Sequence, residues 1–266
     1  MSSITTDHGI LYYEVYGRGK PVIFLHGWLG SWGLWQETMT YLGQYYRAYA
    51  LDFWGFGESG KKLDTYQVVD FVSLVDQFME KLGILSAPLV GHSMGGTVSL
   101  SVALRYPQRV EKVVIIGSPI VGSSLALPLK LAGKRLVATV LFALFPLFRW
   151  VMRKASPFMC YDPRFPDMMD RDLSRTTVES FLTSIGSLHR TDLRSKLYRL
   201  HIPVMGMYGD KDIIVSPKQW QVLKENVPSA RIERYPQAGH FIMLDEPRTF
   251  MLPLREFLEQ TPENKP

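Results

Sequence analysis

A nine-residue stretch at positions 89–97, Leu-Val-Gly-His-Ser-Met-Gly-Gly-Thr, constrains the fold of this chain more than any other feature. It contains a G-x-S-x-G pattern centred on Ser93, with apolar residues before and after it. This context predicts a strand, a sharp turn and a helix in direct succession. In such a turn the serine takes a strained backbone conformation that exposes its hydroxyl, and the two glycines leave room for the strand and helix to cross. Ser93 is therefore a candidate nucleophile at the positive end of a helix dipole.

The pattern alone has low specificity, because ordinary glycine-rich turns also produce it. A serine hydroxyl is a weak nucleophile near neutral pH and needs a base within hydrogen-bond reach, oriented by a third group. His240 is the candidate base, since Gly239-His240-Phe241 follows the last predicted strand in a loop. We expect structural or solvent-exposed roles for the other five histidines, which are His8, His26, His92, His189 and His201.

The third group is expected in the stretch Gly209-Asp210-Lys211-Asp212, which follows another predicted strand at the same edge of the sheet. Position alone allows either aspartate. Attack on a carbonyl also needs donors for the developing oxyanion, and backbone N–H groups after the nucleophile and after an earlier strand can supply them. Met94 and Trp28 hold these positions, and the Trp28 indole is expected to line the pocket.

Apolar runs typical of strands alternate with segments of helical periodicity along most of the chain, which predicts a mostly parallel sheet with helices on both faces. Strands are predicted at 10–16, 22–25, 47–51, 110–116, 204–208 and 230–235, and helices at 36–42, 65–82, 217–226 and 245–259. The first two strands are expected to form a hairpin-like pair. In the loop after the strand predicted at 47–51, Asp52 and Ser59 are expected to hold the loop in place by hydrogen bonds to backbone N–H groups. Asp245 is predicted to cap the last helix, and Pro253 to kink or divide it.

The alternation stops after Pro119, and about eighty residues of helical character follow before it resumes. We therefore predict a core formed by residues 1–118 and 203–260, a helical cap inserted at 119–202, and a flexible tail at 261–266. The positive charge belongs to the insertion, because residues 119–200 hold 13 Lys or Arg against 6 Asp or Glu.

Five motifs in a fixed order resemble those of the α/β-hydrolase superfamily. They are Gly-Lys-Pro-Val-Ile-Phe-Leu-His-Gly-Trp at 19–28, Asp-Phe-Trp-Gly-Phe-Gly-Glu-Ser at 52–59, the serine turn at 91–95, Gly-Asp-Lys-Asp at 209–212 and Gly-His-Phe at 239–241. The resemblance implies the α/β-hydrolase fold, covers nearly the whole chain outside the cap, and favours Asp212 over Asp210 as the triad acid. Serine at the nucleophile position is unlike the dehalogenases and epoxide hydrolases of the superfamily, which use an aspartate. The implied branches are esterases, lipases, C–C hydrolases and cofactor-free perhydrolases.

Residues 136–148 form a run of thirteen without a charge, between Arg135 and Arg149. This length is short of the roughly twenty residues that span a bilayer. We expect the run to roof the active site, with Phe145 and Phe148 contacting substrate together with Trp28 and Phe241. The surrounding basic residues leave a second interpretation open, in which the segment makes peripheral contact with an anionic membrane surface.

These features predict a serine hydrolase that cleaves small lipophilic carboxylic esters through an acyl-enzyme. Alternatives are a C–C bond hydrolase acting on a diketone, a perhydrolase, and a non-catalytic receptor for a small ligand. No metal, cofactor or nucleic-acid partner is predicted, because no ligand spacing or binding motif accompanies the histidines or the charge. A single cysteine and the absence of a signal-peptide pattern favour the cytoplasm, with membrane association as the alternative. The sequence leaves the oligomeric state open.

Overall fold

The structure is a computed structural model that describes residues 2–61 and 66–260, with Ala138 described in its backbone only. Eight strands form one sheet in the order β1-β2-β4-β3-β5-β6-β7-β8. The strands are β1 (Ser2–Thr6), β2 (Gly9–Tyr16), β3 (Pro21–Leu25), β4 (Arg47–Leu51), β5 (Ala87–His92), β6 (Val110–Ile116), β7 (Val204–Gly209) and β8 (Arg231–Tyr235). Only the β1–β2 and β2–β4 pairs are antiparallel. The predicted mostly parallel sheet is confirmed.

Two details of the strand prediction were wrong. The strand β1 was not predicted, because its sequence Ser-Ser-Ile-Thr-Thr is too polar to stand out as a buried run. The expected hairpin of β2 with β3 does not form, since β4 lies between them and pairs with both. Sequence neighbours after a short glycine turn often pair, but here the parallel pairing of β3 with β4 and β5 buries the apolar run of β3 on both faces.

Helices cover both faces of the sheet and follow the predicted alternation. The helices of this part are α1 (Gln36–Leu42), α2 (Val68–Lys81), α3 (Met94–Arg105), α9 (Gln219–Asn226), α10 (Ile242–Asp245) and α11 (Pro247–Glu259). The helix predicted from Thr65 begins at Val68, and Thr65 itself lies outside the described residues. It ends before Gly83, whose φ of +66° is a conformation that favours glycine. Pro253 lies inside α11, which runs unbroken from Pro247 to Glu259 and is not divided there.

Five further helices lie between β6 and β7. They are α4 (Leu127–Ala132), α5 (Arg135–Ala143), α6 (Phe145–Ala155), α7 (Phe165–Ser174) and α8 (Val178–Arg190). The two ends of this helical segment, residues 119–202, meet in an isolated bridge between Val121 and Asp192. Five short 3-10 turns complete the described secondary structure, at Trp32–Trp35, Pro107–Arg109, Gly122–Ser124, Ser156–Phe158 and Arg194–Arg199.

Among the described residues, no single helix is long and apolar enough to cross a membrane. The helices at Arg135–Ala143 and Phe145–Phe158 reach the length and composition only together, and they are bent by 94° at the break between them.

The tightest packing of the sheet lies where α3 crosses β5 and β3. A Cβ added to Gly91 would lie 2.3 Å from the Gly95 carbonyl oxygen, and one added to Gly95 would lie 2.2 Å from the Leu25 carbonyl oxygen. Both distances are far below van der Waals contact, and both neighbours are backbone atoms that cannot move aside. Glycine is therefore required on either side of Ser93 for the strand and the helix to approach each other.

We expect Gly95→Ala to destabilise the protein by about 3 kcal/mol, because the added methyl group forces backbone apart in a packed region. Gly186→Ala in α8 is the matched control. Its Cβ would meet the flexible end of Arg190 at 3.3 Å and the Gly133 carbonyl oxygen at 3.8 Å, an ordinary van der Waals distance, and alanine favours a helix by up to about 1 kcal/mol over glycine. Urea unfolding of both variants measures the difference, and equal stabilities would contradict the steric account.

Candidate active site

Ser93 lies at the junction of β5 and α3 in the strained conformation that the pattern predicted. Its φ is +52° and its ψ is −120°, and Leu29 is the only other non-glycine residue with a positive φ among residues 2–61 and 66–260. The Ser93 N–H donates to the Ile116 carbonyl at 2.8 Å, which ties the turn to the end of β6. The sheet and the helix therefore hold the serine from both sides.

His240 and Asp212 come together from two loops that follow β8 and β7. His240 Nδ1 donates to Asp212 Oδ2 at 2.7 Å, and both side chains are 3% exposed. The other carboxylate oxygen of Asp212 accepts from the N–H groups of Ile214 at 2.8 Å and Val215 at 2.9 Å. These bonds fix the carboxylate and leave His240 Nε2 as the free acceptor of the ring.

Asp210, the other aspartate of the same loop, points away from the imidazole. Its carboxylate forms a salt bridge with Arg234 at 2.7 Å, and its side chain is 27% exposed. The structure therefore distinguishes the two aspartates that sequence position left open.

His92 holds the His240 loop against the serine turn, which gives the partner of a side chain for which the sequence left a structural or a solvent-exposed role open. Its Nε2–H donates to the His240 carbonyl at 3.0 Å, and the centroids of the two rings are 4.6 Å apart. Burial lowers the pKa of His92 well below its ordinary value, so this imidazole is neutral. Its position next to Ser93 in the sequence was the one available signal.

The same junction requires a close approach at Gly117, directly after β6. A Cβ added there would lie 3.2 Å from His240 Nδ1 and 3.4 Å from Asp212 Oδ2, and the φ of this glycine is +53°.

Ser93 and His240 line one cavity, and no hydrogen bond joins the two side chains in the described part of the chain. In unliganded active sites this bond is often long and tightens when substrate binds.

The loop after β3 carries one of the two N–H groups predicted to face an oxyanion. Neither the Trp28 N–H nor the Met94 N–H is donated to another of the described residues. The backbone of this loop is close to the serine, since a Cβ on Gly27 would lie 3.0 Å from Ser93 Cβ. Two unpaired donors beside a candidate nucleophile are the arrangement that stabilises a negative oxygen.

His26 makes this loop rigid. Its Nδ1–H donates to the Gly27 carbonyl at 2.7 Å, and its Nε2 accepts from the Phe53 N–H at 2.9 Å. The second bond requires the neutral ring, because a protonated nitrogen cannot accept, and burial lowers the pKa of His26 to about 4.

Two buried carboxylates, those of Asp52 and Asp172, hold the segment after β3 in place by hydrogen bonds. Asp52 accepts from the N–H groups of Trp32 at 2.6 Å and Glu58 at 2.8 Å, while Ser59 Oγ donates to the Asp52 carbonyl at 2.6 Å. This is the bracing expected for Asp52 and Ser59. Burial raises the pKa of Asp52 to about 7, in spite of these two donors. On the other side of the loop, Ser31 Oγ donates to Asp172 of α7 at 3.0 Å.

Asp245 connects the His240 loop to the helical segment instead of capping the last helix. Its carboxylate accepts from the Gly239 N–H at 3.0 Å and from the Tyr161 N–H at 2.7 Å. The helix α11 begins at Pro247, directly after Glu246, and no side chain caps its N-terminus. The predicted capping role was wrong because long-range partners compete for the carboxylate.

A cavity of about 390 Å³ lies over Ser93 and His240 and is lined almost entirely by apolar side chains. Of the four side chains expected to contact substrate, Trp28, Phe148 and Phe241 are among the residues that line it, and Phe145 is not. Phe145 instead stacks on Phe142 with ring centroids 5.2 Å apart. Four methionines form part of the wall, Met152, Met159, Met168 and Met169. No group of three or more His, Cys, Asp or Glu that could hold a metal is found in residues 2–61 and 66–260.

Comparison with known proteins agrees with this fold. The model of a family described as the alpha/beta hydrolase fold matches residues 20–247. A pimeloyl-[acyl-carrier protein] methyl ester esterase of Vibrio campbellii is 27% identical over 264 residues, with 93% of this chain and 98% of the relative covered.

Two solved structures are similar in fold. One is an esterase of Exiguobacterium antarcticum, with a TM-score of 0.82, 22% identity, and coverage of 97% of this chain and 99% of the other. The second is a bromoperoxidase of Bacillus anthracis, with a TM-score of 0.83, 24% identity, and coverage of 94% and 96%. At these identities the likeness concerns the fold.

The neutral state of His26 predicts a pH dependence of stability. Between pH 6.5 and 4 the unfolded chain binds a proton at this imidazole and the folded chain does not, so stability falls as the pH falls. The shift corresponds to about 3 kcal/mol. Urea unfolding across this range should give a flatter slope for His26→Gln than for the wild type.

Asp52 has a raised pKa and contributes with the opposite sign, but it is common to both proteins and cancels in the difference. His201→Gln is the control, since it removes an imidazole that is exposed to water in the folded chain. Parallel slopes for the wild type and His26→Gln would show that His26 is not held neutral.

Proposed function

The chain belongs to the α/β-hydrolase family, and from this premise we propose that it is a serine hydrolase that cleaves carboxylic esters with an apolar acyl or alcohol group. The observation that supports this most directly is the buried pair of His240 and Asp212 on the same cavity as Ser93. A histidine oriented by a carboxylate beside a strained serine is the arrangement that activates a hydroxyl.

In the proposed reaction Ser93 Oγ attacks the ester carbonyl carbon, and His240 Nε2 accepts the hydroxyl proton. Asp212 stabilises the imidazolium that forms, and the N–H groups of Trp28 and Met94 stabilise the oxyanion of the tetrahedral intermediate. The C–O bond then breaks, and His240 returns the proton to the leaving alcohol. Water attacks the acyl-enzyme by the same route, which releases the carboxylic acid and restores Ser93.

The helical segment of residues 119–202 acts as a cap in this proposal, because side chains from α4 to α8 form much of the cavity wall. The Trp28 indole donates to the Phe181 carbonyl at 3.1 Å, which joins the oxyanion loop to the cap. The apolar lining favours a lipophilic substrate that presents one polar group, the ester, to Ser93. The methionines suit acyl groups of varied shape, since their thioether chains adapt to irregular surfaces.

The relatives support the ester as the bond that is cleaved. The Vibrio campbellii relative is named as a methyl ester esterase, and the Exiguobacterium antarcticum structure is that of an esterase. A C–C hydrolase, a perhydrolase or a ligand receptor of the same fold are the alternatives that experiment must separate from it.

The first test compares the two aspartates of one loop. Asp212→Asn should lower kcat/KM for p-nitrophenyl butyrate by roughly 10³- to 10⁴-fold, because the imidazole loses its orienting carboxylate. Asp210→Asn should lower it by less than about fivefold, since it removes only a partly exposed salt bridge with Arg234.

Labelling with a fluorophosphonate, followed by mass mapping, tests the nucleophile in the same preparation. The label should map to Ser93 and be absent from Ser93→Ala. Equal losses in the two aspartate variants, or a label on another residue, would contradict the assignment. Ligand-induced stabilisation of the wild type without turnover of any ester would favour the receptor.

The second test concerns the cavity. For p-nitrophenyl esters, kcat/KM should rise with acyl length by about three- to fourfold for each added methylene until the cavity is filled. Leu141→Ala in α5 should reduce this gain, because Leu141 lines the cavity. Leu136→Ala in the same helix is the control, since Leu136 is 77% exposed and lies outside the lining. A flat response to chain length, or strong preference for a diketone, would contradict the ester proposal.

A further inference from the structure

The helical segment carries a large exposed apolar surface that the active site does not use. It comprises eight side chains that are between 46% and 77% exposed, namely Leu127, Leu136, Val140, Leu144, Leu147, Trp150, Val151 and Phe158. They make up eight of the seventeen large hydrophobic side chains that are exposed in the described part of the chain. We call this set the apolar face. Clusters of this size on a protein surface mark interaction sites.

The helices α5 and α6 are apolar on more than one side. In α5, Val137 and Leu141 line the cavity, while Leu136 and Val140 are exposed. In α6, Phe148 and Met152 line the cavity, while Leu147, Trp150 and Val151 are exposed. The spacing of three and four residues within each set places its members on one side of a helix. A helix that is hydrophobic all round is normally covered on every side, so the exposed side lacks a partner.

The charge around the apolar face has one sign. Residues 125–154 contain six Lys or Arg and no Asp or Glu. Arg149 and Arg153 pair with Asp170 and Asp167 of α7, at 2.6 and 2.7 Å. The other four form no ion pair among the described residues, and they are Lys130, Lys134, Arg135 and Lys154. The apolar face is therefore bordered by unpaired positive charge.

The positive charge around the apolar face favours one kind of binding partner over the others. A second copy of the chain would bring Lys134, Arg135 and Lys154 close to their own equivalents, and like charges repel. A nucleic acid would use the charge but leave the apolar side chains in water. The surface of a bilayer that contains anionic lipid matches both properties, because it accepts apolar side chains among the acyl chains and attracts basic side chains to the headgroups. Trp150 suits the boundary between them.

We propose that the apolar face and its four unpaired cations bind the surface of an anionic membrane. The cavity lining and the apolar face belong to different sides of the same helices, α5 and α6. If the proposed function holds, this binding brings the helices that line the cavity to the lipid phase, in which a lipophilic ester is most concentrated. The proposal of membrane contact depends on the apolar face and its four cations, and not on the proposed ester hydrolysis.

Vesicle binding measures the contact without requiring turnover. Co-sedimentation compares vesicles of phosphatidylcholine with vesicles of phosphatidylcholine mixed with phosphatidylglycerol. We expect binding to the mixed vesicles that weakens with added salt. The charge variant K130Q/K134Q/R135Q/K154Q should lower partitioning by at least about a hundredfold, since each cation near such a surface is worth about fivefold. The apolar variant L136S/V140S/W150S should also bind weakly.

Matched controls change the same residue types elsewhere. Lys196→Gln with Arg199→Gln removes two exposed cations, and Leu85→Ser removes a side chain that is 81% exposed. Both controls should bind like the wild type. Turnover of a water-soluble short-chain ester, measured on every variant, reports the fold and the proposed function separately.

Absence of binding to mixed vesicles, or equal binding of the charge variant and the wild type, would overturn the proposal. A concentration-dependent dimer that the apolar variant abolishes would also overturn it, because a second copy would then cover the face. Vesicle binding without ester turnover would support the membrane contact and contradict the proposed function. Ester turnover without vesicle binding would support the proposed function and contradict the membrane contact.

Discussion

The structure depends on one steric constraint, the close crossing of a helix over two strands at Ser93. Glycine on each side of the serine brings the α3 backbone within contact of the Leu25 carbonyl, and no other residue fits there. The serine takes a positive φ because the chain must reverse within one residue between β5 and α3. A backbone this unfavourable persists only where the surroundings determine it fully. The packed sheet supplies that support, so the strain and the fold depend on each other.

Around this turn, buried polar groups hold separate loops at fixed distances. His26 joins the loop after β3 to the loop after β4, and His92 joins the serine turn to the loop after β8. Both imidazoles are neutral because burial disfavours their charged forms. They therefore add orientation without adding charge near the cavity. In the reaction that we propose, the Asp212 carboxylate acts on His240 in an apolar surrounding with little screening, and the two free N–H groups act on a developing oxyanion in the same way.

The sequence predicted the features that depend on local pattern, and it failed where distant partners decide. The turn at Ser93, the parallel strands and the loops of His240 and Asp212 each follow from a short run of residue types. The role of His92 depends on a carbonyl 148 positions away, and that of Asp245 on a loop 84 positions away. Phe145 was expected in the cavity because it belongs to an apolar run, but it begins α6 directly after the break that ends α5, and its ring stacks on Phe142. The sequence pattern shows which side of a helix a residue occupies only when the first and last residues of that helix are known.

The measurement that tests this account most directly is a crystal structure of the protein after reaction with a phosphonate ester. The adduct imitates the tetrahedral intermediate. The account predicts phosphorus bonded to Ser93 Oγ, the phosphonyl oxygen at about 3 Å from the N–H groups of both Trp28 and Met94, and His240 Nε2 within hydrogen-bond distance of an adduct oxygen. A phosphonyl oxygen turned away from these two donors, or an imidazole that contacts no atom of the adduct, would contradict it.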